Sequence, residues 1–314
     1  MHRRSLLALP LLGLAPCLAA AQDRTAVVAS FSILGDMVRE IAGNRVALRV
    51  IAGPDTDAHS FQPRPSDAEA LRGAAVLVRN GLGFDLWFDR LARAAGGPRQ
   101  PIMVTATEGI TPRSMEAHAH GHGPTERRTQ HGVGPRRVAD PHAWQDLRLA
   151  QSYVRTIARG LVAADPAGAA AIERGAEAYA GRLGALDAWV RAQVATVPEA
   201  RRRVITSHDA FGYFGAAYGI QFMAPQGLSS AAEASAAEVA RLIRQVRAEA
   251  ITAVFVESAT SPATLQRLAQ EAGVRVRGRL HADALSPPNG TAPTFEAMVR
   301  HNVGLLVPAM RGEA

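Results

Sequence analysis

The chain has 314 residues, 47% of them hydrophobic, with a formal net charge of +7. Every basic residue is arginine, the arginines are scattered, and aromatics make up only 5%, which excludes the clustered basic and stacking surface that nucleic-acid binding needs. After residue 21 no apolar run reaches the roughly 20 residues that span a bilayer, and this length suits two lobes of about 130–150 residues better than one core.

His2, Arg3 and Arg4, an apolar stretch over 5–18 and the small residues Ala19-Ala20-Ala21 predict a signal peptide over 1–21, hence export to the periplasm. Arg3-Arg4 also loosely matches a twin-arginine signal. The single cysteine, Cys17, follows Pro16 where a lipid anchor needs a small residue, so it is expected to leave with the leader. A mature chain without cysteine forms no disulfide and must bind transition metals through nitrogen and oxygen.

From there apolar runs alternate with helical patterns. Strands are expected over 25–30, 46–52, 75–78 and 101–106, and helices over 33–41, 66–73 and 84–95. Such alternation predicts a mainly parallel sheet flanked by helices. Residues 108–140 break the pattern and read as a long loop rich in Gly, Pro, Arg and His. A helix follows over 146–164, and a second is expected from Pro166 to about Val197, long enough to join two lobes as a rigid spine. The alternation then resumes, with strands over 203–207, 220–224, 251–257 and 274–280 and helices over 210–218, 235–249 and 262–272. A last helix over 294–307 is expected to stop at Pro308. The fold class is α/β: an N-terminal lobe over 22–165, a connecting helix over 166–198 and a C-terminal lobe over 199–314.

Ten histidines fall into distinct settings. His59 follows the second strand, His208 follows the strand over 203–207, and Asp283 follows the strand over 274–280. In open parallel sheets ligands bind beyond the carboxyl ends of strands, so these three side chains come from both halves to where a crevice belongs. His142 lies at the exit of the loop. The spacings of 83, 66 and 75 residues carry no local motif. His118, His120, His122 and His131 lie within the loop, where flexible histidines bind metal weakly and quickly; a solvated linker is the competing reading.

Pro54-Asp55-Thr56-Asp57-Ala58-His59-Ser60-Phe61-Gln62-Pro63, Asp140-Pro141-His142-Ala143-Trp144 and Ser207-His208-Asp209-Ala210-Phe211-Gly212-Tyr213-Phe214 resemble, in order, the metal motifs of the zinc/manganese solute-binding proteins of ABC importers (cluster A-I, ZnuA/TroA-like). Ala282-Asp283-Ala284-Leu285 falls where that family places its carboxylate. The resemblance implies two lobes joined by a rigid helix and one buried metal held by His59, His142, His208 and Asp283. It also implies delivery of the metal to an ABC permease and its ATPase, with no enzymatic activity. The histidines of the loop resemble the histidine-rich loop of zinc-type relatives, a place for metal scavenging or for docking a metallochaperone. Manganese-type relatives tend to carry glutamate at the position of His208, and three imidazoles with one carboxylate suit Zn2+.

Three alternatives stand beside this reading: a carrier of manganese or another divalent metal, an adhesin on the same fold, and an exported metal-dependent hydrolase. The last requires an open coordination position and a general base. Glu257 is the rival carboxylate, with capping or salt-bridging near the next helix as its expected role. Asp140 and Asp209 adjoin ligands and are expected as hydrogen-bond acceptors or caps. His281 is expected either behind the ligands or facing solvent, and His301 within the last helix.

Overall fold

The computed structural model describes residues 24–97, 100–116, 137–227 and 235–313. The expected leader with Cys17, and His118, His120, His122 and His131, lie outside them. In the N-terminal half the apolar runs β1 (Thr25–Phe31), β2 (Val46–Ala52), β3 (Val76–Arg79) and β4 (Ile102–Thr105) form one parallel sheet in the order β2-β1-β3-β4. Register is fixed by pairs such as Val27 with Leu48 and with Val76. Helices α1 (Ser32–Ala42), α2 (Pro65–Arg72) and α3 (Leu86–Ala95) connect the strands. β1 is central and buried on both faces from Val27 onward, which is why its sequence runs apolar without alternation.

The stretch expected as one loop is pinned at both ends. β5 (Ser114–Glu116) pairs antiparallel with β6 (Arg137–Ala139). Three-residue strands are too short to show a readable period in sequence.

Two helices then cross the molecule. α4 (Leu147–Ala164) begins at Asp146, whose side chain accepts the Arg148 backbone N–H. Pro166 does not open the next α-helix as expected. Asp165 caps a single 3-10 turn over Pro166–Gly168, and α5 runs from Ala169 to Ala195. Its 27 residues span about 40 Å at ~1.5 Å per residue. Ile172, Ala176, Tyr179, Leu183, Leu186, Val190 and Val194 recur every three or four positions and form its buried stripe. That stripe packs on α1 and α4 in the first half and on α6 (Gly212–Tyr218) and α9 (Phe295–Arg311) in the second. Gly175 permits the approach: a Cβ there would lie 2.1 Å from the Ile41 carbonyl oxygen of α1.

The second half repeats the strand order of the first. β7 (Arg203–Ile205) pairs parallel with β8 (Gln221–Met223) on one side. On the other side Phe255 N–H donates to the Ile205 carbonyl, leading into β9 (Val256–Glu257), which pairs parallel with β10 (Arg279–Leu280). The strands expected over 251–257 and 274–280 are thus regular only in their last two residues, although hydrogen bonds reach back to Ala253 and Arg277. α7 (Ala236–Ala248) and α8 (Ala263–Ala272) cover this sheet with their own apolar cluster around Leu242, Val246, Val254 and Leu268. A single larger core runs from Phe31 through Trp144 and Leu183 to Phe295 and joins both halves.

The last helix does not stop at Pro308. α9 continues to Arg311 and ends at Gly312, which adopts a left-handed φ of 81°. Proline removes one N–H, but the carbonyl it leaves free belongs to Gly304 on the exposed face, where water can serve it, while Ala309 and Met310 beyond are buried. No helix among the described residues is long and apolar enough to cross a membrane.

Candidate metal centre

Each candidate donor is set by a local device at a strand or loop end. His59 follows β2 across Gly53 and Pro54; the Asp57 carboxylate accepts the His59 backbone N–H at 2.9 Å and the Ser60 hydroxyl at 2.7 Å. From the other side Trp87 Nε1 donates to the Ala58 carbonyl at 2.7 Å. His142 turns back on Asp140, whose Oδ1 takes both the backbone N–H at 3.0 Å and ring Nδ1 at 2.8 Å. Asn80, at the end of β3, donates to the carbonyl of Pro141 at 2.9 Å and accepts the Tyr153 hydroxyl at 2.7 Å.

His208 follows β7, and Glu257 closes the neighbouring strand. Glu257 Oε1 accepts the backbone N–H groups of Ser207 at 2.8 Å and His208 at 3.0 Å, while Oε2 faces His208 Nδ1. The expected role of Glu257 at the next helix is therefore corrected: it backs His208. Asp283 follows β10 and enters from the second half.

The four side chains converge. Their donor atoms all lie within 4.8 Å of one another. His59 Nε2 is 3.2 Å from His142 Nε2 and 3.3 Å from Asp283 Oδ2. His208 Nε2 is 3.0 Å from Asp283 Oδ2, and His142 Nε2 is 3.5 Å from Asp283 Oδ1. Four ligands at ~2.0–2.1 Å around a tetrahedral ion lie about 3.3–3.4 Å apart. With Asp283 Oδ2 as the donor, three of the six edges are of about that length, at 3.0, 3.2 and 3.3 Å, while His142 lies nearer the other oxygen, Oδ1. Asp283 Oδ1 is buried with no hydrogen-bond partner among the described residues, a pattern that an atom serving a cation would show.

The surroundings are dry. His142 and His208 are fully buried and Asp283 is 4% exposed. Phe84 packs edge-on to His59, ring centroids 4.5 Å apart, and Trp144 packs on His142 at 5.3 Å. Burial pulls the His59 imidazole below its ordinary range, with Asp283 opposing. Burial also acts to lower His208, but the Glu257 and Asp283 carboxylates outweigh it and hold that imidazole well above its usual value. Burial would raise Asp283; His208 and His142 instead hold it well below the usual carboxylate range. The charges of His208 and Asp283 thus support one another across 3.0 Å.

Other sequence expectations fare differently. His281 neither faces solvent nor joins the cluster: it is 4% exposed, with Nε2 3.1 Å from the Thr291 hydroxyl. His301, on α9, places Nε2 3.0 Å from the Arg279 carbonyl. Sequence reasoning missed Asn80 altogether. Trp87 and Trp144 donate hydrogen bonds beside the cluster.

Residues 27–309 match the family described as ZnuA, zinc-uptake complex component A, periplasmic. The manganese-binding lipoprotein MntA of Halalkalibacterium halodurans is 32% identical over 284 residues, 90% of this chain and 88% of MntA. The zinc-binding protein TroA of Treponema pallidum is 29% identical over 297 residues, 93% of this chain and 91% of TroA. The solved structure of TroA superimposes with a TM-score of 0.80 at 28% identity, covering 91% of this chain and 99% of that one. A manganese-bound periplasmic metal-binding protein of Candidatus Liberibacter asiaticus gives 0.78 at 25% identity over 91% of this chain and 100% of that one.

Proposed function

The chain belongs to the family of the periplasmic zinc-uptake component A, metal-binding proteins of ABC importers and not enzymes, and on that footing we propose that its cargo is Zn2+. In this reading His59, His142, His208 and Asp283 hold the ion between the two lobes, and the loaded protein passes it to the permease and ATPase of an importer. The observation that carries the proposal is the convergence of three imidazoles and one carboxylate, with His142, His208 and Asp283 buried and all donor atoms within 4.8 Å of one another. Carboxylates behind His142 and His208 fix the ring orientation and raise the basicity of Nε2, as partners of zinc-bound histidines do. Four protein donors close the sphere of a tetrahedral ion and leave no position for a reacting water, which suits a carrier.

The lobe limits proposed with this reading are 22–165 and 199–314, joined over 166–198. The shared core favours small local shifts over a wide hinge on loading. Export to the periplasm and cleavage after residue 21 belong to the same proposal. MntA is named a lipoprotein, so Cys17 is the residue whose acylation or removal decides between an anchored and a free form. A scavenging or metallochaperone-docking role for His118, His120, His122 and His131 also remains a proposal.

A second reading has one observation in its favour. Asp283 turns both oxygens towards the histidines, so bidentate binding would give a five-coordinate site suited to manganese or iron. Calorimetric titration of metal-stripped protein with zinc and with manganese, beside His208→Ala, separates the two. One tight zinc site lost in the variant supports the proposal; tight manganese with weak zinc replaces the cargo; no tight site for either sinks the assignment of the four residues.

A further inference from the structure

Asp283 makes its side-chain contacts to the three histidines, so its position rests on the backbone that carries it. That backbone is gripped from two sides. The carbonyl of Ala282 accepts two buried donors, Trp144 Nε1 at 3.1 Å and Gln145 Nε2 at 3.0 Å. Both sit on the single 3-10 turn Ala143–Gln145 directly after His142. Trp144 is fully buried and Gln145 is 4% exposed. One residue earlier, Asn302 of α9 accepts the His281 N–H at 3.0 Å and donates to the His281 carbonyl at 2.7 Å. Asn302 belongs to the same half as Asp283. Trp144 and Gln145 reach it from the segment that carries His142.

We propose that Trp144 and Gln145 are positioning residues that latch the Asp283 segment to the His142 segment, so that the carboxylate stands at ligand distance before the metal arrives. The proposal rests on reading His142 and Asp283 as metal ligands. Its physical basis is preorganisation. A carboxylate close to three imidazoles is held there by two donors that saturate one buried carbonyl. With one donor removed, part of the binding free energy goes into ordering the segment, and the ion leaves sooner.

The test is Gln145→Leu, which keeps the volume and removes the donor. Zinc release into a chelator should become about 5–10-fold faster, the effect of one buried hydrogen bond. The ligand-field absorption of Co2+ bound in place of zinc should change with it. In an Asp283→Ala background the same substitution should leave zinc release unchanged, because the latch then has nothing to position. Trp144→Phe repeats the comparison if Gln145→Leu does not fold.

An unchanged release rate and cobalt spectrum would overturn the proposal, as would an equal loss in both backgrounds, which is what a merely structural role predicts. A wild-type chain without a tight site would sink the metal reading and this proposal together. A tight wild-type site indifferent to the latch would sink only the latch.

Discussion

Glu257 holds His208 at two points: one carboxylate oxygen accepts the His208 backbone N–H at 3.0 Å, and the other faces ring Nδ1. The first contact places the residue and the second aims Nε2 at the centre. Glu257→Gln keeps the first and loses the charge behind the ring. It should lower zinc affinity by about 10–100-fold without loss of fold, in line with the cost of removing partners of metal-bound histidines. Competition titration against a chelator measures this, and wild-type affinity in the variant would exclude the role.

Metal uptake should release protons. His208 is held protonated above the ordinary imidazole range and Asp283 ionised below the ordinary carboxylate range. Near neutral pH the incoming ion therefore displaces about one proton from His208, and apparent affinity rises with pH. Without metal, the raised imidazole contributes stability that is full below 6.5 and fades above it. The depressed carboxylate contributes stability that is full above 3.8 and fades below it. Metal-free protein should thus draw its greatest support from this pair between those values. Calorimetry in buffers of different ionisation enthalpy counts the protons; zero release at pH 7 would contradict the charge balance described here.

Asp36 offers a test far from the metal. Its carboxylate, on α1, accepts the Phe295 backbone N–H at the start of α9 at 2.8 Å. Burial pushes its pKa up to about 6, against the hydrogen bond from Phe295. A raised carboxyl contributes stability that is full below 3.8 and lost as pH rises through 6. Asp36→Asn removes the buried charge and retains an acceptor. It should stabilise the protein at pH 7–8 by up to about 3 kcal/mol, the equivalent of two pKa units, and flatten the stability profile between pH 4 and 7. Chemical denaturation across that range decides; a destabilised variant at pH 8 would show that the ionised form is favoured after all.

Gly212 leaves room for the carboxylate behind His142. A Cβ at this position would lie 2.7 Å from Asp140 Oδ2. Gly212→Ala should push Asp140 away from His142 Nδ1 and weaken zinc binding by about tenfold, as loss of such a partner does. Asp140→Asn together with Gly212→Ala should be no worse than Asp140→Asn alone. Full additivity would mean that the glycine serves the fold and not the histidine.

The parts legible in the sequence were those with a local period. β2 was read over 46–52, where the structure places Val46–Ala52, and the α4 reading differs only at its first residue. The C-terminal strands were legible as apolar runs but not in their true regular length, because ladder bonds depend on neighbours far along the chain. α9 outran Pro308 because tertiary burial of Ala309 and Met310 outweighed one missing hydrogen bond. At the site, His59, His208 and Asp283 were nominated from their places after strands, His142 from its place at the exit of the loop, and all four from resemblance to a family. Glu257 and Gln145 were not seen in their roles, since their partners lie 49 and 137 residues away. No local motif links such residues; only the sheet order brings them together.

The core that runs unbroken from Phe31 through α5 to Phe295 has a consequence for the order of events in the life of the chain. Residues gathered at the centre come from the segments after β2 and β6 in the first half and after β7 and β10 in the second, so each half contributes two of the four. With these four residues as the proposed ligands, a chain still emerging from a ribosome or an export channel has no complete centre until the segment after β10 has joined the first half. On that assignment, tight loading is expected only of a chain whose two halves have already come together.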